Sequence, residues 1–418
     1  MTECKRIAAV VTTFFPNSHA GVLASKFLTG FTTDEGLLPP RTQIVSLYMD
    51  QVHDRDVGLQ LAQIHDVPVF SSIRAAMTLG GNELEVDAVL IIGEHGDYPL
   101  TALGQEMLPR RWFFEQVCGV IGEFGRPIPV FTDKHLSYRW SDARWMYDTA
   151  AGLGVPLFAG SSLPVCWRQP DFEHPLNEPL DEGLAIGFHM LERYGFHALE
   201  ALQCQAERRA GGETGVRSVT CLSGADVWRA GDAGRWSVDL ANAALAAIES
   251  GPGQLDRDQV DDPHVFLLEY SDGTRGTVLM LGDTGYVSKF AYAGRHGDTI
   301  NACEFHTDTG PNHAHFSYFG RNIEDFFLTG VAPSPVERTL LTTGLLEAVM
   351  ISHHQVGARV DTPHLDISYQ ATQAPTPRPS AARPHGASLD PVLLPEPGST
   401  PATVTIPIGR DGTVRERA

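Results

Sequence analysis

The stretch RIAAVVTTFFPNSHAGVLASKFLTGF, residues 6–31, decides how the rest of the chain is read. RIAAVVTTF (6–14) reads as the first strand. The residues after it carry apolar side chains at helical spacing, with Ser18 placed to cap the first turn. The same unit recurs. TQIVSLYM (42–49), VPVFSS (67–72), DAVLIIG (87–93), PIPVFTD (127–133) and VPLFAGSS (155–162) read as strands two to six. DVGLQLAQIHD (56–66), PRRWFFEQVCGVIGEFG (109–125) and SDARWMYDTAAGLG (141–154) read as helices between them, the last with Ser141 as its cap. Strands alternating with helices predict an α/β layer, a doubly wound parallel sheet covered on both faces.

From about residue 160 the pattern changes. EGLAIGFHMLERYGFHALEALQCQAERR (182–209) reads as one or two helical segments. GVRSVTCLSG (215–224), HVFLLEYSDGTRGTVLML (264–281), YVSKFAYAG (286–294) and HAHFSYFG (313–320) read as strands of a meander, with SDGT as a hairpin turn. SPVERTLLTTGLLEAVMISHHQVG (334–357) is a long late helix. The expected layout is a parallel α/β unit over 1–160 and an α+β unit with a mostly antiparallel sheet over 161–370. A tail rich in Pro, Ala and Thr follows over 371–418 and is expected to be disordered.

The 418 residues include 51 acids against 31 Lys and Arg, a formal charge of -20. Nucleic-acid binding needs clustered cations, so that class is set aside, PRRWFFEQ included. Trp112, Phe113 and Phe114 there read as partly core, and Arg110 and Arg111 as solvated. No apolar run is long enough to span a bilayer. The N-terminus lacks a small-residue cleavage site, and the six cysteines are scattered without a C-x-x-C pair. A reduced cytoplasmic protein is the expectation.

Ligands of open parallel sheets bind beyond the carboxyl ends of the strands. That edge should gather His19 after strand one, Asp50 after strand two and Glu94, His95, Asp97 and Tyr98 after strand four. Asp133, Lys134 and His135 follow strand five, and Ser161, Ser162, Trp167 and Arg168 follow strand six. The acids after strand four would either contact ligand or accept backbone N–H groups of a turn. Lys134 would polarise a hydroxyl or carbonyl, or be a solvated charge, and His95 and His135 would carry protons. Trp167 and Arg168 would offer a stacking platform and an anion contact. A divalent metal is a second reading: His19, Glu94, His95, Asp97 and His135 make a mixed nitrogen and oxygen set, without a short metal motif. His313 and His315 would share a strand face, as two ligands or as exposed positions of the meander.

The order of the two halves resembles the Gfo/Idh/MocA family, named for glucose–fructose oxidoreductase and inositol dehydrogenase. TDKHLS (132–137) stands where the family has Glu-Lys-Pro at the end of strand five. RYGFHALE (193–200) stands where it has Asp-x-Gly-x-His, and PHLDISY (363–369) resembles its ending. The resemblance covers roughly residues 6–369 and implies a Rossmann-like domain joined to a sheet domain. It implies hydride transfer between NAD or NADP and a sugar or polyol, and homo-oligomers through the second sheet. By matching position, Lys134 would contact substrate and His197 would be the catalytic histidine. Arg193 replaces the aspartate and would bind an anionic group. Glu94, Asp97, Tyr98, Trp167, Arg168 and Arg193 would line the substrate pocket, with Ser18, His19 and Asp50 on the cofactor. The departure is the first turn. A dinucleotide turn needs glycines so that backbone N–H groups reach the pyrophosphate, and FFPNSH offers none. The pocket is rebuilt, or the scaffold serves a cofactor-free or metal-assisted lyase, epimerase or hydrolase, or a non-catalytic binding protein.

Overall fold

Three of the predicted strands are buried at every position, and such strands need cover on both faces. The computed structural model describes residues 4–283, 285–307, 310, 312–373 and 394–397, with the backbone of 407–408 and 413–414. β1 (Lys5–Val11), β2 (Thr42–Met49), β3 (Val69–Phe70), β4 (Ala88–Ile92), β5 (Val130–Asp133) and β6 (Leu157–Gly160) form one parallel sheet. Its order is β3-β2-β1-β4-β5-β6, so the chain reverses direction of winding between β1 and β4. Successive side chains face opposite sides of a strand. Ile7, Ala9 and Val11 enter one apolar cluster, while Ala8 and Val10 enter the other.

The connections are α1 (Gly58–Ile64), α2 (Ile73–Thr78), α3 (Arg110–Phe124) and α4 (Trp140–Leu153). α2 is an addition to the sequence expectation, started by the Ser72 side chain accepting the Ala75 N–H. After β1 come helical segments over Ala20–Ala24 and Lys26–Thr29; His19 holds the cap position, and the Ser18 Oγ one residue earlier accepts the Gly21 N–H at 3.0 Å. Ser141 does not cap α4: it lies inside the helix, and the Trp140 N–H donates instead to Glu347 at 2.9 Å.

The second sheet holds β7 (Trp167–Gln169), β8 (Glu182–Gly187), β9 (Val216–Ser223), β10 (Pro263–Tyr270), β11 (Arg275–Leu281), β12 (Phe290–His296), β13 (Thr299–His306) and β14 (Val360–Asp361). The order is β14-β9-β10-β11-β8-β12-β13-β7, and only the β8–β11 pair is parallel. Two expectations fail here. Residues 182–187, read as helical, form the buried strand β8, because a short uniformly apolar run carries no period to separate strand from helix. HAHFSYFG, read as a strand, opens a helix. In the longer window, Phe316, Phe319, Ile323, Phe326 and Phe327 recur at helical spacing and pack on the first sheet with Val11, Phe31 and Phe158.

The longer helices of this half are α5 (Leu191–Ala206), α6 (Val238–Ala247), α7 (Ala314–Thr329) and α8 (Val336–His354), with a shorter one over Ala225–Asp232. α5 and α8 pack together, and α8 also touches α4 and β6, which binds the two sheets into one body. Most of the expected tail lies outside the described residues. The described segment 394–397 returns to the first sheet, where Leu394 packs on its apolar cluster.

Candidate functional site

Where β4 ends, the chain turns with a carboxylate pointing back across the sheet edge. Glu94 is 6% exposed. Its Oε1 accepts from Lys134 Nζ at 2.9 Å and lies 3.0 Å from His95 Nε2, while Oε2 accepts the His19 backbone N–H at 3.0 Å. Burial alone would raise the pKa of this carboxyl. Lys134, His19 and His95 instead hold it well below the ordinary carboxylate range. Lys134 follows β5 in a left-handed backbone conformation, φ 61°, uncommon for a side chain with a Cβ and found at functional sites. Its N–H bonds to Gly160 O at 2.9 Å.

Around this pair stand four histidines. His19 Nδ1 lies 2.7 Å from Asp133 Oδ2, and its ring stacks 6.2 Å from that of His197. His95 Nδ1 is 3.0 Å from Arg193 Nη1. Arginine only donates, so Nδ1 accepts and the proton of His95 sits on Nε2, facing Glu94. The same rule fixes His135, whose Nε2 is 2.9 Å from Arg110 Nη1. Burial, with Arg110 and Lys134 nearby, holds His135 well below the ordinary histidine value. His197 is likewise depressed by burial, Lys134 and His19, so both are neutral at pH 7.

Arg193, on α5, also pairs with Glu106, whose N–H donates to Glu192 at 2.9 Å. Glu94, Lys134 and His135 at the edge of the first sheet, Arg110 on α3, and Glu192 and Arg193 on α5 thus enclose one cavity of about 10 Å³, room for about one water. Lys134, His135, His95, Glu94, Arg193, His19 and His197 are therefore brought together at the junction of the two halves.

Other expected residues lie elsewhere. Asp97 is exposed, and its backbone pairs with Gln51 at 2.8 and 3.2 Å. Tyr98 donates to Asp50 at 2.7 Å and Tyr48 donates to its other oxygen at 2.8 Å, so both oxygens of the acid after β2 are engaged. Arg168 is no anion contact. It is fully buried, with its guanidinium on the carbonyls of Pro164 and Cys166 and on Cys204 Sγ. Trp167 packs on His306 at the edge of the second sheet. His313 precedes α7 and His315 lies on it, so no strand face holds them as a pair. Among the described residues no group of three or more His, Cys, Asp or Glu side chains is arranged to hold a metal ion.

Several residues of this site escaped sequence reading. Arg110 was expected in solvent and is 1% exposed. The signal was there: Arg110, Phe113, Phe114 and Val117 fall at i, i+3, i+4 and i+7, one face of α3. Glu200, one turn beyond His197, accepts the Ser161 N–H at 2.9 Å and the Ser161 hydroxyl. Burial pushes it up to about 7 against the pull of Ser161. No local pattern marks Glu106, Glu192 or Glu200, whose partners are distant in sequence.

The fold raises the question of a dinucleotide at the turn after β1. A pyrophosphate there is held by unpaired backbone N–H groups. Here the His19 N–H is taken by Glu94 and the Ser18 N–H by Phe15 O at 3.1 Å. The N–H groups of Gly21 and Phe15 go to Ser18 Oγ at 3.0 and 3.2 Å, and Pro16 has none. Phe15 is 7% exposed, stacked on His53 at 4.1 Å under Arg55. A Cβ on Gly21 would stand 2.2 Å from Phe15 O, so turn and helix touch. The residues present do not fit a pyrophosphate at this turn. Ser18 and His19, expected on a cofactor, are committed to the Gly21 N–H and to Asp133.

No family model matches the sequence, and no curated protein matches it. Solved structures do match in shape. GenD2 from gentamicin A biosynthesis, in complex with NAD, superposes with TM-score 0.55 at 15% identity over 86% of this chain and 97% of its own. Myo-inositol 2-dehydrogenase from Lactobacillus plantarum gives 0.53 at 10% identity over 86% and 99%. Scyllo-inositol dehydrogenase from Lactobacillus casei, with bound NAD(H) and scyllo-inositol, gives 0.52 at 9% over 86% and 99%. No described helix is long and apolar enough to cross a membrane. With its doubly wound parallel sheet and its second, mostly antiparallel one, the chain has the two-domain fold of Gfo/Idh/MocA-type dehydrogenases.

Proposed function

We propose that this chain is an oxidoreductase that takes a sugar- or polyol-like small molecule at the junction of its two sheets, parting the side chains that close the small cavity there, and removes the proton of a substrate hydroxyl. The observation that carries the reading is Lys134: a buried ammonium on a strained residue at a strand end, clamped to Glu94 2.9 Å away. A fixed cation there favours the alkoxide form of a bound hydroxyl, the charge that develops as a carbon–oxygen bond is oxidised. Arg193, held by Glu106 and His95, adds guanidinium N–H groups suited to neighbouring hydroxyls. The fold-mates solved with NAD and with scyllo-inositol support the substrate class and the redox reaction. They also suggest NAD or NADP as hydride partner, whose pyrophosphate would need a seat other than the turn after β1.

The test is direct. Full-length protein is titrated into NADH and into NADPH while the nicotinamide fluorescence is followed, and a panel of inositols and sugars is screened for cofactor-dependent turnover. A fluorescence shift with turnover of at least one polyol is expected. No binding at millimolar dinucleotide refutes the oxidoreductase reading. A second reading, a lyase or epimerase that needs no dinucleotide, is favoured by the closed turn after β1. It predicts solvent deuterium entering a sugar carbon in D2O with no cofactor added.

A further inference from the structure

An imidazole works as a base when a carboxylate holds one ring nitrogen and the other is left with its lone pair towards the reacting atom. Among the four histidines of the site only one is arranged so. His135 has Nε2 tied to Arg110, and both nitrogens of His95 are engaged, by Arg193 and by Glu94. His197 has a buried Nδ1 without a partner among the described residues, and the residue one turn before it is Arg193, not a carboxylate. His19 Nδ1 faces Asp133 Oδ2 at 2.7 Å, the short separation of a charge-assisted bond. That fixes the hydrogen on Nδ1. Nε2 stands 4.0 Å from Glu94 Oε1, beyond hydrogen-bond reach, and the His197 ring stacks 6.2 Å away.

We infer that His19, oriented by Asp133, is the proton carrier of this site, in place of His197. The inference rests on the hydroxyl chemistry proposed above and assigns its base. The turn that seats a phosphate in dinucleotide enzymes here seats an imidazole. In the step, the hydroxyl proton moves from substrate oxygen to His19 Nε2, and its electron pair stays on the oxygen as an alkoxide beside the Lys134 ammonium. The imidazolium so formed faces Asp133, which is fully buried and whose Oδ1 has no hydrogen-bond partner among the described residues. That oxygen is an unspent negative charge next to the new positive one. The groups facing His19 are Asp133 after β5, Glu94 after β4 with its partner Lys134, His197 on α5, and Phe316 with its neighbour His315 on α7.

Two measurements test it. Full-length chain labelled with ¹⁵N-histidine, with His19 assigned by its loss in His19→Gln, should show the neutral ring protonated on Nδ1, and Asp133→Asn should abolish that preference. A ring protonated on Nε2 in the unsubstituted chain overturns the dyad whatever the variants do. On any polyol or sugar found to turn over, His19→Gln should lower kcat about 10²–10⁴-fold. KM should hold, the acidic limb of the pH profile should vanish, and His197→Gln should retain that limb. A His19→Gln enzyme with kcat and limb intact overturns the catalytic role. The failures are read in different samples: absent turnover by the unsubstituted chain refutes the reaction, and the wrong tautomer refutes the dyad.

Discussion

Glu94→Gln keeps the shape of the side chain and removes one charge from the centre of the site. Lys134, its side chain 6% exposed, then has no carboxylate at 2.9 Å. Removing one partner of a buried ion pair costs about 3–5 kcal/mol. The amide oxygen still accepts one bond, from Lys134 or from the His19 N–H, and returns about 1 kcal/mol. The expected loss is therefore about 2–4 kcal/mol at pH 7. At 2–4 °C per kcal/mol for a cooperative unit of this size, Tm should fall by about 4–16 °C. The sign of the pH dependence follows from Glu94 itself. Its pKa is depressed in the folded chain, so its stabilisation is present above the unfolded carboxylate value and lost as pH falls through the folded one. The gap between the two proteins should be widest near neutrality and narrow as pH falls below about 4. Scanning calorimetry of both proteins at pH 7 and pH 3.5 measures it. A gap under about 1 kcal/mol at pH 7, or one that does not narrow in acid, refutes the central place given to this carboxylate.

Glu200 supplies the opposite sign: its carboxyl, raised by burial from 4.5 to about 7, holds a proton in the folded chain that the unfolded chain releases, so stability falls as pH rises through that window. The interval, 7 − 4.5 = 2.5 pH units, is worth about 3 kcal/mol, and urea unfolding of Glu200→Gln at pH 5 and pH 8 should lack that decline. Gly58→Ala sets a Cβ 2.6 Å from that of Phe14 and should cost about 1–3 kcal/mol in the same assay, with little change in the junction cavity on the far side of Glu94. Arg168→Met leaves the Pro164 and Cys166 carbonyls without their donor and should lower Tm while leaving turnover intact.

The first sheet was legible because each of its strands is short, apolar and bounded by a helix with its own period. The edge after β4 and β5 was legible for the same reason: once the strand order is known, TDKH and GEH must be neighbours, and the Lys134–Glu94 bond realises it. What could not be read was orientation. His19 looked like a cofactor contact because it opens a helix, and its bond to Asp133 spans 114 positions. Arg168 looked available because it follows a strand end, yet it lies on the buried side of β7 over Phe305. β8 was lost to a helix because six buried residues in a row give no period, and the opening of α7 was lost to a strand because His313 and His315 alternate over too short a window.

α7 has a consequence for how the molecule comes into being. Its phenylalanines close the face of the first sheet that also holds Ile7, Val11, Leu90 and Phe131. They are made some 150 residues after β6, so a ribosome working at about 5–20 residues per second leaves the part of that face that α7 covers open for about 8–30 s, with only the side chains of 20–29 and 58–64 on the rest. The nascent first half must wait with that part of its apolar face open. An amino-terminal fragment ending after β6 should emerge sticky and chaperone-dependent, while the same sheet in the finished chain is sealed by a helix that arrives nearly last.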